Sequence, residues 1–243
     1  MAMRFLIVND DGIGAYGIKL LAKWALTHGE VTVIAPKEEQ SGKSHAIDFI
    51  NPIEIKRVDF IEGVEAWAMA STPADCVRFG TVGLRRHYDL VLSGINRGTN
   101  MGGDIIYSGT MGAIFEAGNQ HHRGIAFSTT PDNLEGATEY LEQAYNFIIE
   151  NNLFDYSDLY NVNIPETVKG IRITKQGNAF FSDSFFKVDE NTYTQHGEMI
   201  ADNNPDDLDR DSIAFSNGYI SVTPMTKERT DLVAFEKLKS LDI

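Results

Sequence analysis

The sequence has a single cysteine, Cys76, in 243 residues, which excludes an intramolecular disulfide and suits a reducing compartment. Basic residues are in the minority. Only 21 Lys and Arg stand against 35 Asp and Glu, a formal charge of −14, and so acidic a chain has no general affinity for the nucleic-acid backbone or an anionic membrane. Long apolar runs are missing too: none approaches the ~18–20 residues that span a bilayer, and the run after Arg4 ends in carboxylates, unlike a signal peptide. There is no repeat or low-complexity linker. The six histidines form no metal-ligand motif; Cys76, with no histidine near it in sequence, reads as core filler, and the pair His121 and His122 as exposed. The expectation is a soluble cytoplasmic protein with no membrane and no nucleic-acid polymer among its partners. What the chain does have, 42% hydrophobic residues over this length, fills the core of one large α/β domain or of a domain with an appendage.

The chain is organised around RFLIVNDDGIGAYG, residues 4–17. Phe5, Leu6, Ile7 and Val8 make the short apolar run of a strand buried on both faces, and it stops at Asn9, Asp10 and Asp11. Gly12, Gly14 and Gly17 then allow a sharp turn, after which Ile18, Leu21, Ala22 and Ala25 recur at the spacing of one helix face. These glycines satisfy the dinucleotide-binding fingerprint in its strand–turn–helix context, so a nicotinamide oxidoreductase is one reading. That fingerprint, however, places a pyrophosphate on bare N–H groups, and here two carboxylates stand at the mouth of the turn. A charge pair about 4 Å apart at an effective dielectric near 20 is worth roughly 4 kcal/mol, more than the ~0.3–2 kcal/mol the helix dipole returns. Nor does an acidic ribose partner end the second strand, where Pro36 and Lys37 stand. A divalent cation removes the conflict, so Asp10 and Asp11 read as a hard-metal site; helix capping explains one carboxylate more readily than two.

In order, residues 31–36 make a second buried strand, followed by a polar loop that carries Ser41 and Gly42. Parallel-sheet topology brings that loop to the edge where Asp10 and Asp11 stand, although Ser41 alone reads as a loop serine. Residues 46–50 and 53–58 read as an extended pair around Pro52, 64–70 as a strand, and 73–84 as a helix with Thr72 as N-cap. Residues 89–93 read as a strand and 94–110 as a long glycine-rich loop bearing Asn96, Arg97, Asn100, Asp104, Tyr107, Ser108 and Thr110. A helix begins at Thr110, so Ser108, Gly109 and Thr110 occupy its N-terminus and offer a phosphate cradle, the plain alternative being an ordinary cap. A strand at 124–129, a helix through Ala137, Leu141, Ala144 and Ile148, and strands at 159–164 and 171–174 continue a Rossmann-like winding. From 178 to 207 the aromatics Phe180, Phe181, Phe185, Phe186 and Tyr193 follow no helical period, which suggests a protruding hairpin and a surface for self-association. A helix at 207–217, a strand at 219–224 and a helix at 231–241 close the chain.

The segments IVNDDGIGAYGI, VTVIAPKEEQSG, STPADCV, SGINRGTNMGGDIIYSGTMGAIFEAG and NGYISVTPM together resemble the SurE (survival protein E) family of metal-dependent nucleotidases. The resemblance covers about the first 130 residues and returns near 217–225. It implies that Asp10, Asp11, Ser41 and Asn96 hold the metal, that Asn9, Asn100, Ser108, Gly109 and Thr110 hold the phosphate and its surroundings, and that the substrates are nucleoside 5′- and often 3′-monophosphates, with polyphosphate in some members. It also implies homodimers or homotetramers that exchange C-terminal segments. Residues 1–177 are then a Rossmann-like catalytic core, mostly parallel sheet with helices on both faces, and 178–243 a hairpin and C-terminal oligomerisation segment. Ser71 departs from the family's usual Gly before Thr-Pro-Ala-Asp, and 180–204 matches no family segment.

The donors suit the chemistry independently of the resemblance. Carboxylate, hydroxyl and amide oxygens fit one Mg²⁺ or Mn²⁺ per subunit, with Asp10 or Asp11 as general base for an attacking water, or with Asp10 itself as nucleophile. A nucleotide sensor without catalysis is the remaining alternative.

Overall fold

The structure, a computed structural model, describes residues 2–241. Phe5, Leu6, Ile7 and Val8 are all fully buried in strand β1 (Met3–Val8). Phe5 and Ile7 face one apolar layer and Leu6 and Val8 the other, as a strand covered on both sides requires. Each such side chain stabilises the fold by roughly 1.5–3 kcal/mol.

Around β1 run β2 (Gly29–Pro36), β3 (Ile55–Val58), β4 (Glu65–Met69), β5 (Leu90–Arg97), β6 (Gly124–Thr129), β7 (Leu159–Ile164), β8 (Gly170–Ile173) and, after the hairpin strands β9 (Phe180–Lys187) and β10 (Tyr193–Ile200), β11 (Tyr219–Met225). The large sheet has the order β3-β4-β2-β1-β5-β6-β7-β11-β8. From β4 to β7 every pairing is parallel, while β3 and β11 meet β4 and β7 antiparallel. Helices α1 (Tyr16–Leu26) and α4 (Leu134–Glu150) cover one face through Ile18, Leu21, Leu141 and Ile148. Helices α2 (Pro73–Arg78) and α3 (Gly109–Asn119) cover the other through Cys76, Val77, Ala113 and Ala117. The fold is thus the expected α/β winding. From β1 the chain moves outward through β2 and β4, then returns to β5 on the other side of β1, so the carboxyl ends of β1 and β5 flank the point where the winding reverses.

Several local expectations are corrected. Residues 46–50 form no strand: Asp48 Oδ1 accepts the amides of Ile50 and Asn51 and turns the chain, leaving Phe49 and Ile50 exposed. Strand β5 runs on to Arg97, through a bulge between Ser93 and Asn96, and a 3₁₀ turn at Gly102–Tyr107 occupies much of the remaining loop. The helix after Thr72 widens into a π turn at Phe79–Gly83. His121 is exposed as expected but His122 is half-buried, its ring 5.0 Å from that of His87. Helix α5 (Asp211–Ser216) starts later than expected because Asp207 and Arg210 close a turn before it. Residues 219–225 do not belong to an appendage, since β11 lies inside the large sheet between β7 and β8.

The aromatic stretch is a two-stranded antiparallel ribbon of β9 and β10 outside the large sheet, with Phe180, Phe181, Phe185, Phe186 and Tyr193 each 44–66% exposed. A terminal helix, α6 (Leu232–Leu238), exposes Leu232, Val233, Phe235 and Leu238. Among the described residues no helix is long and apolar enough to cross a membrane.

Candidate active site

At the winding reversal lies a cleft of about 410 Å³ lined by Asp10, Asp11, Glu39, Ser41, Asn96, Arg97, Asn100, Asp104 and Ser108, among others. Three strand ends deliver these groups. The turn after β1 carries the aspartates and is pinned by Ile13 N–H on Pro36 O (2.8 Å) and by Gln40 N–H on Asp10 O (2.7 Å), which also ties it to the Ser41 loop after β2. The bulged end of β5 supplies Asn96 and Arg97, and Arg97 N–H approaches Asp11 Oδ2 at 3.4 Å.

Asp10 is buried and its Oδ1 accepts from Thr110 Oγ1 at 2.6 Å. Burial pushes its carboxyl up to about 6 against the Thr110 hydrogen bond, and the neighbouring Asp11 adds to the rise. Asp11 is raised as well, by burial first, with the Arg97 amide opposing and Glu39 reinforcing. Four carboxylates and one guanidinium line this cleft, so a phosphate entering alone meets net negative charge.

The oxygens available there fit a hard cation. Asn96 spends its Nδ2 on Gly98 O (2.8 Å), which leaves Oδ1 as its free group. Ser41 Oγ donates to Glu39 (2.7 Å) and keeps its lone pairs. Among the described residues no group of three or more His, Cys, Asp or Glu has a metal-holding arrangement; the other oxygens in the cleft are the Ser41 hydroxyl and the Asn96 amide.

The residues expected to surround the phosphate divide in two. Asn100 and Ser108 line the cleft, and Ser108 caps α3 by accepting from Met111 N–H at 3.1 Å. Asn9, Gly109 and Thr110 stand behind it. Asn9 is fully buried and braces the turn through Gly12 O (3.0 Å). Gly109 lets α3 approach Asp10 so closely that a Cβ there would lie 2.8 Å from Asp10 Cβ and 3.0 Å from Oδ2. These three shape Asp10 rather than the cleft wall.

A network that the sequence reading did not single out holds Asn100. Asn161 and Asn163 on β7 both donate to Asn100 O (2.7 and 3.0 Å), Asn163 Oδ1 accepts Asn100 N–H (2.9 Å), and Asn100 Nδ2 donates to Ser128 Oγ (2.9 Å). Two amides at i and i+2 in an otherwise apolar strand were the available signal. A larger hollow, about 660 Å³, lies beside Phe115, Lys175, Met225 and Arg229 but contains none of the expected site residues.

Residues 5–183 match the family described as Survival protein SurE. The 5'-nucleotidase SurE of Petrotoga mobilis is 35% identical over 98% of this chain and 98% of its own. That of Caldanaerobacter subterraneus subsp. tengcongensis is 36% identical over 98% and 97%. The crystal structure of the SurE protein from Aquifex aeolicus superposes with a TM-score of 0.80 at 32% identity, over 98% of this chain and 99% of that one. With the family matched over most of its length and relatives aligned from end to end, the chain belongs to the SurE family.

Proposed function

We propose that the protein is a divalent-metal-dependent nucleotidase that hydrolyses nucleoside 5′-monophosphates, and 3′-monophosphates as a wider range, to nucleoside and phosphate. The observation that carries this is the convergence of Asp10, Asp11, Ser41 and Asn96, each with an uncommitted oxygen, on one cleft beside the N-terminus of α3. Relatives aligned over nearly the whole chain bear the name 5'-nucleotidase. One Mg²⁺ or Mn²⁺ per subunit is held by those four side chains; when bound it supplies Lewis-acid polarisation of the phosphoryl group and acidifies a water.

The chain's own residues do the rest. Thr110 fixes Asp10 through Oδ1. Asp11, less buried, is the general base for the attacking water. The Asn100 side chain and Ser108, the N-cap of α3, face the charge that develops on phosphate. Attack by Asp10 itself would leave an aspartyl-phosphate, and a single turnover in ¹⁸O-water with limiting substrate separates the two routes.

The same reading places the protein in the cytoplasm, supported by a lone and buried Cys76 thiol, and excludes nucleic-acid polymers on its charge of −14. It makes the chain a homodimer or homotetramer. With β11 inside the sheet, the parts of 178–243 left to meet or exchange with a partner are the β9–β10 ribbon and α6.

The test is phosphate release from a panel of 5′- and 3′-nucleotides under EDTA, Mg²⁺ and Mn²⁺, with Asp10→Asn as control. The expected result is metal-dependent release that falls by about 10²-fold or more in Asp10→Asn. No release with any metal from folded protein overturns the reading.

A further inference from the structure

Beyond Arg97 the chain leaves β5, bonds Gly98 N–H to Thr129 O at the end of β6 (2.9 Å), and reaches β7 at Asn100. There Asn100 meets side chains in place of a backbone ladder. Asn163 accepts Asn100 N–H on Oδ1 (2.9 Å) and donates Nδ2 to Asn100 O (3.0 Å). One side-chain amide thus exchanges both bonds with one residue, as a hydrogen-bonded pair of antiparallel strands does. Asn161 adds a second donor to the same oxygen (2.7 Å), and Ser128 Oγ accepts from Asn100 Nδ2 (2.9 Å). Strand β7 thereby fixes the backbone of Asn100, and β6 its side chain.

Asn161, Asn163 and Ser128 are fully buried. The two asparagines share one face of β7, while Tyr160, Val162 and Ile164 on the other join the apolar layer under α1 and α4. Ser128 stands opposite Asn163 in the β6–β7 register, so the two holds on Asn100 are neighbours. Burying two amides and a hydroxyl in a sheet carries a desolvation cost that an apolar set of the same shape avoids. Cohesion of the sheet does not call for them; a fixed Asn100 does. Asn100 is 8% exposed and lines the cleft, and with one Nδ2 hydrogen given to Ser128 it keeps the other, and Oδ1, as uncommitted polar groups. Asn96, proposed above to hold the metal, is braced separately by its own bond to Gly98 O.

We propose that Asn163, aided by Asn161 and Ser128, is a positioning residue for phosphoryl transfer: it holds the Asn100 amide at the cleft before substrate arrives, so that the remaining Nδ2 hydrogen meets a phosphoryl oxygen as charge develops there. The assignment rests on the nucleotidase reading of the cleft. A donor fixed in advance needs no reorganisation in the transition state, so the clamp acts on kcat more than on KM.

The test is a double-mutant cycle on the full-length protein, read as AMP hydrolysis at saturating Mg²⁺, with circular dichroism to establish folding. Asn163→Ala should lower kcat by about tenfold or more with KM changed less than about threefold. Added to Asn100→Ala, the same substitution should cost less than about twofold more, because its route to the reaction is already gone. A residue that only stabilises the sheet would lose the same factor in both backgrounds. Should Asn163→Ala not fold, Ser128→Ala, which frees Asn100 Nδ2 and leaves the backbone clamp in place, enters the same cycle; it should lower kcat by about threefold or more, and only where Asn100 is present. Wild-type kcat in the folded variant, or a loss that recurs in full beside Asn100→Ala, overturns the role and leaves the nucleotidase standing. A wild-type protein that releases no phosphate from any nucleotide overturns the nucleotidase reading, and this role with it.

Discussion

Asp10 carries two opposed demands. To take part in metal binding it must be ionised, yet its burial lifts its carboxyl to about 6, above the 3.8 of an exposed aspartate. For an acid whose folded value is raised, the neutral form is the one the fold prefers; stability is full below about 4 and is lost as pH rises through 6. The difference is on the order of 3 kcal/mol in the metal-free protein at neutral pH. Asp10→Asn, which keeps the acceptor for Thr110, should therefore raise the melting temperature of metal-free protein at pH 7.5, with the gain shrinking as pH is lowered from 6 toward 4. In the wild type, Mg²⁺ affinity should fall by about tenfold per pH unit below 6, because the cation competes with that proton. Thermal melts of both proteins at several pH values with EDTA check the first expectation. A variant no more stable than wild type at pH 7.5 would mean that the buried charge is already compensated without metal.

At the scale of elements, the site depends on a loop clamped to a helix. Ser44 donates its Oγ to Ile106 O (2.6 Å) and its N–H to Tyr107 O (2.9 Å), while His45 Nε2 meets Glu116 Oε2 at 2.9 Å. Burial pushes Glu116 up, but hydrogen bonds from His45, Gln120 and Asn119 outweigh it and bring its carboxyl to about 2, so it stays charged. The closest approach is at Gly112, where a Cβ would stand 2.2 Å from Ser44 O, a backbone atom that cannot swing aside. Gly112→Ala should displace the Ser41 loop, cost about 1–3 kcal/mol of stability and weaken Mg²⁺ binding by about tenfold or more with the α/β fold intact. Calorimetric titration with Mg²⁺ alongside circular dichroism reads both. The elements themselves were legible where one periodicity ruled: β1 from four consecutive apolar residues, α1 and α4 from their faces, α3 from its Ser108 cap. They were illegible where tertiary pairing overrode local pattern. Asn96 and Arg97 look like loop but pair with β6 on a bulged strand, and 46–50 looks like strand but forms none. Within the site, Asp10 and Asp11 stood out because carboxylates follow a buried run; Asn161, Asn163 and Glu39 did not, because their role arises only when distant segments meet.

For the whole molecule the open question is what covers its apolar surface. Phe185 and Phe186 are 66% and 56% exposed on a ribbon that meets the large-sheet body at its base, where Phe180 lies near Gly103 and Phe181 bonds Asp104. A two-stranded ribbon alone is marginal in water, so rings at its tip point to a second copy as their cover. Burying each ring at an interface contributes roughly 1.5–3 kcal/mol, and two-fold symmetry repeats the contribution on the facing chain. Replacing both by serine removes enough to dissociate a ribbon-mediated contact at micromolar concentration while leaving the distant sheet unchanged. Sedimentation velocity should then show a species one association step smaller than wild type, with the same far-ultraviolet circular dichroism. An unchanged sedimentation coefficient would mean that Phe185 and Phe186 hold no second copy.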